Sequence, residues 1–113
     1  MFCEDAICEF GPEYGGDWVG REEIKKGYSA YMGEPFTGAM HANTNPWIEL
    51  TGEDTAKGRW YLLDLALGDP TQTAITGLLG IYDDVYRKTN GTWLIERTRI
   101  DFVWPRREYY GPR

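Results

Sequence analysis

Residues 40–50 read MHANTNPWIEL, and after the turn TGED at positions 51–54 residues 55–64 read TAKGRWYLLD. Each segment mixes apolar, aromatic and polar residues over the length of an extended strand, and the glycine-containing turn between them is typical of a hairpin connection. The pattern predicts two adjacent antiparallel strands. The first carries His41, the only histidine of the chain, and the second carries Asp64, a carboxylate among apolar residues.

Alternation along a strand determines which of these side chains share a face. Successive residues point to opposite faces, so Asp64 lies on the face of Leu62 and Trp60. A carboxylate there is partly desolvated unless a cation or a donor lies beside it, and His41 is a candidate for that partner. A carboxylate fixes the tautomer of an imidazole and makes it a better base. Taken alone, the two residues favour a simpler interpretation, in which the histidine is structural and the aspartate is solvated near a strand end.

The composition predicts a single soluble domain that spans residues 1–113. Aromatic residues make up 15% of the chain, with five Trp and eight Tyr, and such rings suit the wall of a pocket or a subunit interface. The net charge of -6 argues against a nucleic-acid partner, because phosphate binding requires a clustered basic surface. One histidine and scattered carboxylates do not build a zinc or iron site, so we expect neither a metal nor another cofactor.

Cysteine usage and hydropathy indicate the compartment. Cys3 and Cys8 are expected on opposite faces of a strand, which argues against a disulfide between them and favours a reducing environment. No apolar run approaches the roughly 20 residues that a membrane span requires, and residues 1–5 lack the pattern of a signal peptide. We therefore expect a cytoplasmic protein without a membrane partner.

The chain in order predicts one helix and a series of strands. A short strand at residues 5–10 precedes a helix at 21–32, whose larger apolar residues recur at helical spacing and whose stop is expected at Gly33. Longer strands follow at residues 39–50, 55–67, 73–88 and 92–103, and Asn90-Gly91 is a strong hairpin signal between the last two. Consecutive strands joined by short turns form an antiparallel meander, so the fold class is α+β.

Several segments together resemble the SnoaL-like branch of the nuclear transport factor 2-like superfamily. They are FCEDAICEFG (2–11), VGREEI (19–24), MH (40–41), TAKGRWY (55–61), GIYDDVYRK (80–88) and NGTW (90–93). The resemblance implies a curved antiparallel sheet closed by helices into a cone, with a ligand pocket at its wide end. Relatives carry helices before the first strand, whereas only residues 1–4 precede it here. We therefore expect either an incomplete domain, apparently lacking the N-terminal helices, or an unusually open pocket.

Within that superfamily the middle of the chain is most similar to the bile-acid 7α-dehydratases. Their pocket pairs a histidine and an aspartate at positions that match His41 and Asp64, whereas an arginine of their last strand corresponds to Phe102 here. The resemblance implies chemistry without a cofactor: a base removes a proton next to a carbonyl, and an acid assists the departure of a hydroxyl.

These features lead to the hypothesis of a dehydratase-like lyase or isomerase acting on a hydrophobic, ring-containing hydroxy-ketone. His41 is the expected general base, and Asp64 orients it. The expected substrate contacts are Asn43, Trp60, Leu62, Trp18, Phe36 and Tyr82. The alternative is a non-catalytic small-molecule-binding or assembly module of the same fold. A sheet this rich in Trp and Tyr, with one helix to cover it, also predicts a homo-oligomer formed through the sheet.

Overall fold

The computed structural model describes residues 1–31, 38–67 and 76–105. Its elements are β1 (Phe2–Glu9), a 3-10 turn (Pro12–Tyr14), β2 (Trp18–Val19), α1 (Arg21–Tyr31), β3 (Gly38–Leu50), β4 (Thr55–Leu67), β5 (Thr76–Thr89) and β6 (Thr92–Trp104). The strands form a curved six-stranded sheet in the order β2-β1-β6-β5-β4-β3. In the part of the chain described, no helix has the length and hydropathy to cross a membrane.

The predicted meander is confirmed in the second half of the chain. Strands β3 to β6 are successive antiparallel neighbours, and their bounds lie close to the predicted ones. The predicted start of one strand at Thr73 falls outside the described residues. Strand β1, the first of the chain, pairs with the last strand, β6, in parallel orientation, which makes the sheet mixed. No local sequence pattern indicates that last pairing, because the two strands lie at opposite ends of the chain.

Helix α1 is confirmed over residues 21–31 of its predicted range. Residue 32 and the expected stop at Gly33 lie outside the described residues. The helix follows Gly20, whose φ of 88° favours glycine. Ile24 is buried in the core, and Tyr28 packs beside it. The helix therefore turns its predicted apolar face to the sheet.

Cys3 and Cys8 are both buried free thiols, which corrects the expectation that they point to opposite faces. The register of β1 against β6 shifts between Phe2 and Ile7, and this irregularity interrupts the two-residue period. Cys3, Ala6 and Cys8 consequently all face the core. Burial raises the pKa of the Cys8 thiol to about 12, so it acts as a neutral packing group.

A bulge in β3 sets which residues of β4 its first half faces. Its register against β4 shifts between Thr44 and Trp47, where Asn45 has a φ of 52°. The extra residue reverses the alternation of side chains beyond it. On the N-terminal side of the bulge His41 lies directly opposite Asp64, so both side chains occupy one face.

The core lies between α1 and the inner face of the sheet, which we define as the face that carries Leu62 and Phe102. Aromatic rings fill much of this layer. The Trp18 ring meets Phe10 and Tyr28 edge to face, at centroid distances of 5.0 and 5.5 Å. Such pairs add about 0.5–1.5 kcal/mol each beyond the area they bury. The rings hold α1 over the inner face.

Gly27 of α1 lies against the Trp18 ring and supplies a test of this packing. A Cβ atom at Gly27 would come within 2.6 Å of three ring atoms. Alanine has the better helix propensity by about 1 kcal/mol, but overpacking against a held ring costs about 1–3 kcal/mol. We expect Gly27→Ala to lower the free energy of unfolding in urea, whereas Ser29→Ala, on the exposed face, raises it slightly. A Gly27→Ala protein more stable than wild type would contradict this account.

Candidate active site

A small cavity lies between α1, the 3-10 turn and the inner face of the sheet. Its volume is about 30 Å³, which is room for about one or two water molecules. Most of its wall is apolar or aromatic. The lining residues are Phe10, Tyr14, Trp18, Tyr28, Tyr31, His41, Leu62, Asp64, Leu78, Tyr82, Ile100 and Phe102.

His41 and Asp64 are in contact in this wall. Their Nε2 and Oδ1 atoms are 3.1 Å apart, and the two side chains are 33% and 17% exposed. Oδ1 is buried and has no aligned hydrogen bond among the described residues, so the contact is one of proximity rather than of hydrogen-bond geometry. Because Nε2 faces the carboxylate, Nδ1 is the ring nitrogen left to accept a proton from a bound molecule.

Tyrosine hydroxyls bring hydrogen-bond donors to the inner face. Burial raises the pKa of Tyr28, Tyr82 and Tyr86 above the ordinary value of 10.0. The nearby phenols and the carboxylates of Asp84 and Asp64 further raise the pKa of Tyr82. These phenols are therefore neutral near pH 7 and can donate a hydrogen bond.

A chain of hydrogen bonds lies on the inner face beside the cavity. Trp60 Nε1 donates to the Tyr86 hydroxyl at 2.8 Å, and that hydroxyl donates to Asp84 Oδ2 at 2.7 Å. The Thr98 hydroxyl donates to the other oxygen of Asp84. Burial raises the pKa of Asp84, and the two hydroxyl donors partly offset this. The network satisfies a buried carboxylate and ties β4, β5 and β6 together.

The structure brings five of the predicted site residues into one wall: His41, Asp64, Leu62, Trp18 and Tyr82. Two others lie outside that wall, and Phe36 lies outside the described residues. Trp60 shares the face of Leu62, but its indole belongs to the hydrogen-bonded chain. Asn43 is the partner of Leu62 in the β3–β4 register, and it is exposed.

Sequence reasoning missed the contribution of Phe10 and Tyr14 to the wall. Both follow β1, and they reach the inner face only because β1 pairs with β6. Tyr28 and Tyr31 of α1 also line the cavity. Phe102 contributes an apolar ring.

Basic residues of β4 and β6 lie in ion pairs on the opposite, outer face of the sheet. Arg59 Nε is 2.6 Å from Asp83 Oδ1, and Arg97 is 3.1 Å from Glu9. Nowhere in residues 1–31, 38–67 and 76–105 do three or more His, Cys, Asp or Glu side chains form a group that could hold a metal ion. The ionisable groups of the cavity wall are thus the His41–Asp64 pair and the tyrosines.

The curved mixed sheet packed on a helix has the fold of solved structures described as nuclear transport factor 2-like or cystatin-like. Within that class the chain belongs to the SnoaL-like domain family, whose family model matches residues 1–99. The resemblance seen in the sequence is thereby confirmed for the superfamily and for its SnoaL-like branch.

Solved structures of similar fold include both enzymes and proteins without an assigned function. A proposed scytalone dehydratase from Novosphingobium aromaticivorans is 26% identical, with a TM-score of 0.79 over 91% of this chain and 66% of that one. A cystatin-like protein of unknown function from Nostoc punctiforme is 24% identical, with a TM-score of 0.73 and coverage of 92% and 72%. The hexachlorocyclohexane dehydrochlorinase LinA-type3 from Novosphingobium barchaimii is 16% identical, with a TM-score of 0.75 and coverage of 99% and 77%. The chain thus spans 66–77% of their lengths.

The buried phenols predict a loss of stability at alkaline pH. An unfolded tyrosine ionises near the ordinary pKa of 10.0, whereas Tyr28 and Tyr82 have a higher pKa in the folded state. Above the ordinary pKa the unfolded chain releases protons that the folded protein keeps, so the free energy of unfolding falls as pH rises. Urea midpoints should decrease from about pH 9 to about pH 11, and less steeply in Tyr28→Phe. Equal slopes in the two proteins would rule out this linkage for Tyr28.

Proposed function

We propose that this SnoaL-like domain is a cofactor-independent lyase or isomerase of the dehydratase type. Its substrate is a hydrophobic, ring-containing hydroxy-ketone, with His41 as the general base and Asp64 as the residue that orients it. The observation that carries the proposal is the 3.1 Å contact between His41 Nε2 and Asp64 Oδ1 in the wall of an aromatic cavity.

The arrangement of the pair suits proton abstraction from carbon. The carboxylate stabilises the imidazolium that forms when Nδ1 takes a proton, and it holds the ring in one orientation. Asp64 is mostly buried, so its interaction with His41 is screened less than that of a surface pair. A hydrogen on the carbon next to a carbonyl is acidic enough for such a base, because the enolate places its charge on oxygen.

The names of two matched structures support an elimination. A dehydratase removes water and a dehydrochlorinase removes hydrogen chloride. Both reactions break a C–H bond on one carbon and the bond to a leaving group on another. A base at an apolar cavity serves either reaction. The choice of a hydroxy-ketone as substrate rests on the sequence similarity to bile-acid 7α-dehydratases.

The cavity wall supports a ring as the hydrophobic part of the substrate. Trp18, Leu62 and Phe102 offer apolar and aromatic surface on several sides. A ring needs more than the about 30 Å³ present, so its entry requires side chains of the wall to move. Tyr31 is a wall residue that is 41% exposed, and it would have to leave its ring contacts with Trp18 and Tyr14 to make room.

Removal of the base gives the direct test of this function. His41→Ala should lower kcat on the order of a hundred- to ten-thousandfold with little change in binding, because the base acts in the transition state. Asp64→Asn should lower kcat less, since the imidazole remains. Thr44→Ala, on the opposite face of β3, is the matched control. The assay follows the ultraviolet absorbance of the unsaturated product formed from β-hydroxycyclohexanone and its benzo-fused analogue β-hydroxytetralone.

A non-catalytic binding module is the second candidate, and it is favoured by the absence of an aligned hydrogen bond between Asp64 Oδ1 and His41 in the described structure. If His41→Ala turned over as fast as wild type, the base assignment would be lost. If wild-type protein bound cyclohexenone in calorimetry but produced no enone from the hydroxy-ketones, the binding module would be the better account.

We also propose that the outer face of the sheet forms a homo-oligomer. Ala42, Leu63, Leu79 and Trp104 are successive partners across β3 to β6, so they form one apolar row on that face. Leu63, Leu79 and Trp104 are 36%, 41% and 53% exposed. Rows of apolar side chains left in water favour association with a like surface.

A charge placed in this row should break the assembly. We expect wild-type protein at micromolar concentration to show a mass above 13.0 kDa in light scattering, and Leu79→Lys to show the monomer mass. Glu53→Lys, in the exposed turn between β3 and β4, changes charge away from the row and serves as the control. A monomeric wild-type protein would contradict this assembly.

A further inference from the structure

Tyr82 stands on β5, one strand away from Asp64, in the wall that also contains His41. In the β4–β5 register Asp64 is opposite Leu78, Leu62 is opposite Gly80 and Trp60 is opposite Tyr82. Gly80 lies between Leu78 and Tyr82 on the inner face and carries no side chain. The phenol therefore faces the same cavity as His41 and Asp64, and the row between them contributes no β5 side chain.

The hydroxyl of Tyr82 differs from that of Tyr86, its neighbour on the same face of β5. The Tyr86 hydroxyl accepts from Trp60 and donates to Asp84, so its capacity is used within the fold. No hydrogen bond joins the Tyr82 hydroxyl to another group in the described part of the chain. A donor in an apolar wall with no hydrogen-bond partner among the described residues is suited to a polar atom of a ligand.

The surroundings of Tyr82 keep this donor in its protonated form. Burial is the main cause of its raised pKa, and the phenols of Tyr28 and Tyr14 and the carboxylates of Asp84 and Asp64 add to it. A phenol next to carboxylates loses its proton only at high pH. It can stabilise an oxygen that gains negative charge without becoming ionised before the reaction.

We propose that Tyr82 donates a hydrogen bond to the carbonyl oxygen of the ring substrate while His41 removes the proton from the adjacent carbon. This inference rests on the proposed function and adds to it the residue that stabilises the enolate. It places base and donor on separate strands, β3 and β5, with the Asp64 strand between them.

The step balances without an added reagent. His41 Nδ1 takes the proton, and the electrons of the broken C–H bond form a carbon–carbon double bond as charge moves to the carbonyl oxygen, where the Tyr82 hydroxyl stabilises it. When the carbonyl re-forms, the C–O bond on the β carbon breaks. The leaving hydroxide takes the proton back from the His41 imidazolium, so the products are an enone and water.

Tyr82→Phe removes the donor and keeps the ring. With β-hydroxycyclohexanone as substrate we expect kcat to fall on the order of a hundred- to a thousandfold, with KM changed much less. Tyr61→Phe makes the same chemical change on the outer face of β4 and should leave kcat at the wild-type value. Tyr86→Phe should lower Tm, because it breaks the network around Asp84.

The carbonyl stretch of bound cyclohexenone reports the hydrogen bond without turnover. Infrared difference spectra should show this band at lower frequency on wild-type and Tyr86→Phe proteins, and near its value in apolar solvent on Tyr82→Phe. A band that keeps its position in Tyr82→Phe would overturn the assignment of Tyr82 alone, provided that His41→Ala has lost elimination. A His41→Ala protein with wild-type turnover would instead overturn the proposed function, and the role of Tyr82 with it.

Discussion

The parallel pairing of β1 with β6 is the constraint on which the rest of the structure depends. It joins Ile7 to Arg97 and Glu9 to Arg99, and thus fixes the first strand beside the last one. The chain that leaves β1 then crosses the inner face of the sheet and places Phe10, Tyr14 and α1 over it. The cavity has one wall from the meander and the other from this crossing segment. Formation of the cavity is therefore a property of the whole fold rather than of the hairpin that carries His41 and Asp64.

Local rules account for much of what could be predicted from the sequence. A short turn between two strands predicts that β3 and β4 are adjacent, and the spacing of Ile24, Tyr28 and Tyr31 predicts the helix. These features depend on residues close in sequence, so the pattern alone contains them. The facing of His41 and Asp64 also needs the bulge between Thr44 and Trp47, because the pairing of Trp47 with Arg59, continued without it, would place His41 opposite Leu65.

The features that could not be predicted depend on contacts across the fold. The inward position of Cys3 depends on a register shift of β1 against β6, and no residue type in β1 predicts that shift. Trp60 has the parity of a wall residue, yet its indole is held by Tyr86, a residue of another strand. Phe10 and Tyr14 join the wall only through the β1–β6 pairing. Alternation states which face a side chain takes, but the neighbours across the sheet decide what it contacts there.

Asp84 and Asp64 are two carboxylates of the inner face that have different partners. Asp84 accepts from the hydroxyls of Thr98 and Tyr86, which stay neutral over the ordinary pH range and so act as fixed donors. Asp64 has beside it an imidazole, the side chain type that changes charge near neutral pH. In the proposed reaction His41 takes up and releases a proton in each turnover, and a neighbour such as Asp64 stabilises its charged form. Asp84 instead links β4, β5 and β6 through hydrogen bonds. The rows of Leu62 and Trp60 separate the two carboxylates on the inner face, so the hydrogen-bonded network and the proposed site for proton transfer occupy different parts of one sheet.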